Sequence, residues 1–207
     1  MVPQTKSDLV NETLQAYGIL LLSDPHLPSL VSLVVGQPVR GSWWGHAMGQ
    51  VIYKLASQLG DDPNVIATKL ISGKVTFVHK KLWSQVVRVG CAIEKWQTNG
   101  LSESGAALLE IVREHGNAST NSLAKTAAMP KPGKACDELE KRLLVYAEEI
   151  HTESGAHAKL IQTWNYWCNS RRFQPVQLDL QDAKQELTQL IDTLNSKFNG
   201  AGTLPWQ

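Results

Sequence analysis

The sequence predicts an α+β fold that is predominantly helical: a helical N-terminal module with one β-hairpin, a second module of helices and a hairpin, and a C-terminal helix. Three observations lead there. Apolar residues recur at helical spacing over most of the chain. Two strand-like runs interrupt that spacing, each folded about a Ser-Gly pair, Ser72-Gly73 and Ser154-Gly155. A turn at Asn99-Gly100 and an acidic stretch from Val176 onward divide the chain into residues 1–99, 100–175 and 176–207.

The elements follow in order. Ser7 to Leu22 reads as a helix capped by Ser7, with Leu9, Val10, Leu14, Tyr17, Leu20 and Leu21 on one face, stopped at Pro25. A short apolar stretch, Leu30 to Val35, turns at Gly36-Gln37-Pro38. The loop Arg40 to His46 leads into a helix from Ala47 to Leu59 with Val51, Ile52, Leu55 and Leu59 as its stripe. Val65 to His79 reads as a hairpin, because Val65, Ile66, Val75, Phe77 and Val78 favour strand and Ser72-Gly73 suits a tight turn. A helix from Lys81 to Trp96 follows. Ser102 caps a helix to His115; Asn117 to Met129 suits a short helix; Pro130 to Gly133 stops it; Lys134 to Leu143 is the next. Leu144 to Thr152 and a short run near His157 make the second hairpin, which passes into a helix bearing Trp164 and Trp167. Leu180 to Phe198 is the last helix, amphipathic through Ala183, Leu187, Leu190, Ile191 and Leu194.

At 207 residues with 43% hydrophobic and 19% charged, the chain has the composition of a globular protein. No apolar run approaches the roughly 18 residues that span a bilayer, so no membrane partner is expected. The three cysteines, Cys91, Cys136 and Cys168, are widely separated and form no CxxC pair. They point to a reducing, cytoplasmic setting. The net charge of +1 is uninformative, but its distribution is not. Arg40, Lys54, Lys69, Lys74, Lys80, Lys81, Arg88 and Lys95 face only Asp61, Asp62 and Glu94 across that segment. A neutral protein can build a positive face this way.

The order after Ser102, three helices and then a hairpin, is that of a winged helix, so residues 100–175 form a winged-helix-like module. The third helix would enter a DNA groove and the hairpin would reach the backbone. Lys131, Lys134, Lys141 and Arg142 lie on or beside that helix, interleaved with Asp137, Glu138 and Glu140. Thr152, Ser154, His157 and Lys159 sit near the wing. The first half has a loosely similar order, with Ser72-Gly73 preceding Trp83 much as Ser154-Gly155 precedes Trp164, which fits a degenerate tandem. The strings RGSWWGH (Arg40 to His46), KLISGKVTFVHKKLW (Lys69 to Trp83) and HTESGAH (His151 to His157) resemble a family of bacterial proteins of unknown function, from about Leu20 to Trp167. The second half resembles the winged-helix superfamily, which implies a fold before it implies a function.

Two clusters carry the binding chemistry. Arg40, Ser42, Trp43, Trp44 and His46 gather a guanidinium, a hydroxyl, two indoles and an imidazole; they read either as a stacking groove or as a loop whose tryptophans plug the core. Lys69, Lys74, Thr76, His79, Lys80 and Lys81 belong to the first hairpin and its exit, and read either as a phosphate strip or as a solvated face. No metal or cofactor is expected, since no zinc spacing, nucleophile elbow or phosphate loop is present. The leading expectation is nucleic-acid binding, DNA in preference to RNA, without catalysis. Two alternatives stay open. One is an enzyme acting on a nucleotide or nucleic-acid base through a pocket at Arg40, Trp43, Trp44, His46 and His79. The other is a protein–protein adaptor, or a homodimer through the C-terminal helix.

Overall fold

A computed structural model describes residues 5–125, 129, 131–151 and 157–207. Thr152, Ser154 and the Ser154-Gly155 turn lie outside the described residues. The fold is α+β and predominantly helical, 55% helix with two three-stranded sheets among the described residues. The elements are α1 (Lys6–Tyr17), β1 (Ile19–Leu21), α2 (Leu30–Val35), α3 (Gly49–Asp61), β2 (Val65–Ile71), β3 (Lys74–His79), α4 (Trp83–Gly90), α5 (Lys95–Thr98), α6 (Glu103–His115), β4 (Asn117–Ser119), α7 (Thr120–Lys125), α8 (Pro132–Lys141), β5 (Tyr146–His151), β6 (His157–Gln162), α9 (Trp164–Arg171) and α10 (Leu180–Phe198). No described helix is long and apolar enough to cross a membrane.

The chain forms two compact units: Met1–Gln85 with Gln181–Pro205 and Gln207, and Val86–Leu180 with Trp206. The division falls within α4 rather than at Asn99-Gly100, and α10 belongs to the first unit.

In the first unit Thr5, two residues earlier than expected, caps α1 in a reciprocal capping box with Asp8. Gly18 ends that helix in the left-handed region, φ +77°. The apolar run Ile19–Leu21, expected to continue the helix, is therefore free to become β1. It is buried at all three positions and pairs antiparallel with β3, Leu20 opposite Phe77. The hairpin forms as expected. Ser72 and Gly73 both take positive φ, +50° and +66°, as a two-residue primed turn requires. The sheet order is β1-β3-β2, and Val10, Leu14, Leu20, Leu30, Trp43, Ile52 and Phe77 form the core beneath it. The apolar stripe of α10 (Ala183, Leu187, Ile191, Leu194) is buried. The face expected to pair with a second copy is thus already covered within the chain.

In the second unit the helix expected from Lys81 to Trp96 breaks after Gly90 and resumes at α5, with Ile93 at φ +51° between. Asn117–Ser119, expected as helix, is β4, paired antiparallel with β6 through Ala118 opposite Ile161. Pro132 begins α8 instead of stopping a helix, because a first-turn proline lacks only an N–H that has no helical partner anyway. The sheet order is β4-β6-β5 over a core of Leu108, Val112, Leu139, Val145 and Ile161.

The two units repeat one plan. Each runs helix, short strand, helix, helix, hairpin, and in each the short strand pairs with the hairpin's second strand. Each hairpin leads to a buried tryptophan whose indole N–H reaches a backbone carbonyl: Trp83 to Val78 at 3.0 Å, Trp164 to Leu143 at 2.7 Å.

Candidate nucleic-acid interface

The tryptophan loop folds onto the N-terminal end of α3. The Ser42 hydroxyl accepts the Trp44 N–H at 3.4 Å and starts a single 3-10 turn, Trp43–Gly45. That turn leaves successive indoles in different surroundings. Trp43 enters the core at 9% exposure, whereas Trp44 stands out at 64%. The rings remain stacked, centroids 4.2 Å apart and planes 21° apart. Tyr53, one turn along α3 and 47% exposed, flanks Trp44 at 5.7 Å. His46 closes the loop: its N–H donates to the Trp43 carbonyl at 3.0 Å, and its Nδ1 accepts the Met48 N–H at 3.1 Å.

The exposed stripe of α3 reads Gln50, Tyr53, Lys54, Ser57, all polar or amphipathic, with no carboxylate before Asp61. Arg40 and Lys54 are exposed, and neither makes a hydrogen bond or ion pair among the described residues. Val51, expected in the apolar stripe, is also exposed.

The lysines of the first hairpin do not form one free strip. Lys74 is paired to Asp24 at 2.8 Å. Burial alone would raise the Asp24 carboxyl, but the Lys74 ammonium and the N–H groups of His26 and Leu27 outweigh it and hold it below its usual value. Lys81 donates to the carbonyls of Gln15 and Ala16 at 2.6 and 3.1 Å, closing the C-terminal end of α1. Lys69 is half-buried, and Lys80 is exposed. Thr76, expected on a polar face, is buried, accepting the Ile71 N–H at 3.3 Å and donating to the Lys74 carbonyl at 3.0 Å. The Ser72 turn is held by the chain's own tail: its N–H donates to the Thr203 carbonyl at 2.8 Å, and its hydroxyl accepts the Thr203 N–H at 3.1 Å.

His79 does not join the loop. Its Nδ1 accepts the Lys81 N–H at 3.4 Å, it pairs with Val65 across the hairpin, and the charge of Asp62 reaches it. It therefore lies by the C-terminal end of α3, whereas His46 precedes the N-terminal end. A helix of that length spans about 20 Å. Burial, then Lys81 and Lys80, hold the His79 pKa below its ordinary value. Arg40, Trp43, Trp44, His46 and His79 accordingly do not surround one pocket.

In the second unit the expected recognition helix is occupied with its own charges. Lys141 pairs with Asp137 at 2.7 Å. The Arg142 guanidinium donates to the carbonyls of Trp96, Gln97, Asn99 and Gly100, the nearest at 2.7 Å, and so fastens the end of α5. Lys159 pairs with the buried Glu140 at 2.5 Å. Lys131 and Lys134 are exposed. His157 pairs through its backbone with His151. The same unit holds a cleft of about 820 Å³ lined by Arg88, Cys91, Asn165, Cys168 and Phe173 among others. No sequence motif announced it. Burial pushes the Cys168 thiol up to about 11 and raises Cys91 as well, so neither is poised as a nucleophile. No cluster of metal-ligating side chains occurs among the described residues.

A family model described as AlkZ related matches residues 4–201. The chain belongs to the AlkZ-related family. Searches of curated proteins and of solved structures returned no match. The family match spans both repeats, so the AlkZ-related region includes the Trp44 loop, α3 and the second hairpin.

Sequence reasoning singled out the tryptophans of this AlkZ-related chain and counted Lys54 in the basic segment without making it a site residue, but missed Tyr53, Gln50 and Ser57. The signal was there: these residues recur at helical spacing opposite Ile52, Leu55 and Leu59.

Proposed function

We propose that this AlkZ-related protein binds nucleic acid, DNA in preference to RNA, as a tandem of winged-helix-like units without catalysis of its own. The observation that carries the reading is the exposed face of α3. It presents amide, hydroxyl and ammonium donors from Gln50, Ser57 and Lys54, with no carboxylate to repel phosphate before Asp61; Arg40, also exposed, makes no hydrogen bond or ion pair among the described residues. Donors of this kind position a backbone and reach base edges in a groove. Two supports are independent of that face. The repeated order of helices and hairpin, with α3 and α8 in the third-helix position, fits winged-helix units. Membership of the AlkZ-related family is compatible with nucleic-acid binding. The contact is assigned to α3 rather than α8, because Lys141, Arg142 and Lys159 already have intramolecular partners.

Fluorescence anisotropy at low salt, with duplex DNA and duplex RNA of one sequence, tests it. The intact protein should bind both, DNA more tightly. Lys54→Glu should weaken binding about tenfold or more, since a charge-assisted contact is replaced by repulsion. No binding by the intact protein up to high micromolar concentration ends the reading.

A further inference from the structure

Of the seven tryptophans, Trp44 alone is exposed. Its inner face lies on Trp43, which the core holds, so the ring is presented rigidly and has one face open to solvent. Tyr53 forms a tilted wall beside it, 42° from its plane. From Arg40 to Lys54 the sequence holds no acid, and cations stand at both ends. An aromatic face left open in such surroundings suits a flat, electron-rich ring carried on a phosphate chain. It suits a protein carboxylate or an uncharged apolar helix poorly.

Resting on the nucleic-acid reading above, we propose that Trp44 is a stacking platform for an unpaired nucleobase, with Tyr53 at its edge and Arg40 and Lys54 taking the flanking phosphates. The base must be unpaired because both faces of a base within a duplex are covered by its neighbours. A single-stranded, bulged or extruded base offers a free face, and the Trp43–Trp44 pair is already stacked to receive it. Little side-chain freedom is then lost on binding. Stacking of this kind is tolerant of base identity, because every base has a π-face.

Anisotropy titrations with three DNA probes test the proposal: a perfect duplex, the same duplex with one bulged base, and the single strand. Trp44→Ala should weaken the bulged and single-stranded probes by about tenfold to a hundredfold, and by at least tenfold more than it weakens the perfect duplex. Trp44→Phe, which keeps a π-face, should restore most of the loss. Unchanged thermal unfolding of both variants, expected for so exposed a ring, separates binding from folding. Equal loss on all three probes, or none on the unpaired ones, overturns the stacking proposal and leaves the nucleic-acid reading standing. Failure of the intact protein to bind any probe overturns both.

Discussion

Lys159 and Glu140 show how a single side chain decides whether a charge can reach a ligand. Burial would push the Lys159 ammonium's pKa down, but the Glu140 carboxylate outweighs it and holds it above its usual value. Glu140 is nearly sealed from solvent, and the Cys136 thiol also donates to it, across 3.7 Å. Lys159→Met should therefore cost about 3 kcal/mol, the low end for breaking a buried pair, since the ammonium is partly exposed. Lys159→Met with Glu140→Leu should recover most of that loss in urea denaturation. If the double variant is no more stable than the single one, the uncompensated carboxylate is not the cause. In sequence, Lys159 and Lys54 look alike. What separates them is a carboxylate nineteen residues from Lys159, brought to it by the turn of the chain between α8 and β6. Trp43 and Trp44 are equally alike in sequence, and their separation into core and surface follows from one 3-10 turn.

The elements legible in advance were those whose signal is local. Ser102 capping α6, the primed turn of the first hairpin and the stripe of α10 all depend on residues within a few positions. The short strands β1 and β4 were not legible, because three residues become strand only through partners some forty or more positions away. The break after α4 is also non-local. Gly90 ends that helix under the Trp164 indole; a Cβ there would lie 2.3 Å from Nε1. Trp164 has nowhere to move, being 2% exposed and bonded to the Leu143 carbonyl. Gly90→Ala should destabilise by about 1–3 kcal/mol, as overpacking does. Gly133→Ala, at an exposed position of α8 with open space around the added Cβ, should instead be neutral or gain a few tenths up to about 1 kcal/mol. Equal denaturation midpoints for the two variants would show that the glycine at 90 is not required by packing.

Across the whole molecule, the near-neutral charge conceals a division between tied and untied cations. The sequence showed a surplus of bases between Arg40 and Lys95 but could not show which had intramolecular partners. Lys74 and Lys81 hold Asp24 and the end of α1; Lys54 and Arg40 hold nothing among the described residues. Each cation that neutralises a phosphate releases counterion, so the slope of log K against log salt drops by roughly 0.9 in magnitude when one such contact is lost. Lys54→Ser and Arg40→Ser should each lower the slope by about 1 and should combine additively. Lys74→Ser should leave it unchanged, although Lys74 is also an exposed lysine of the first unit, because its charge is already matched at 2.8 Å. Duplex titrations over a range of salt concentrations separate the cases. If Lys74→Ser flattens the slope as much as Lys54→Ser does, the hairpin and not α3 carries the polyanion, and the acid-free helix face is an ordinary solvated surface.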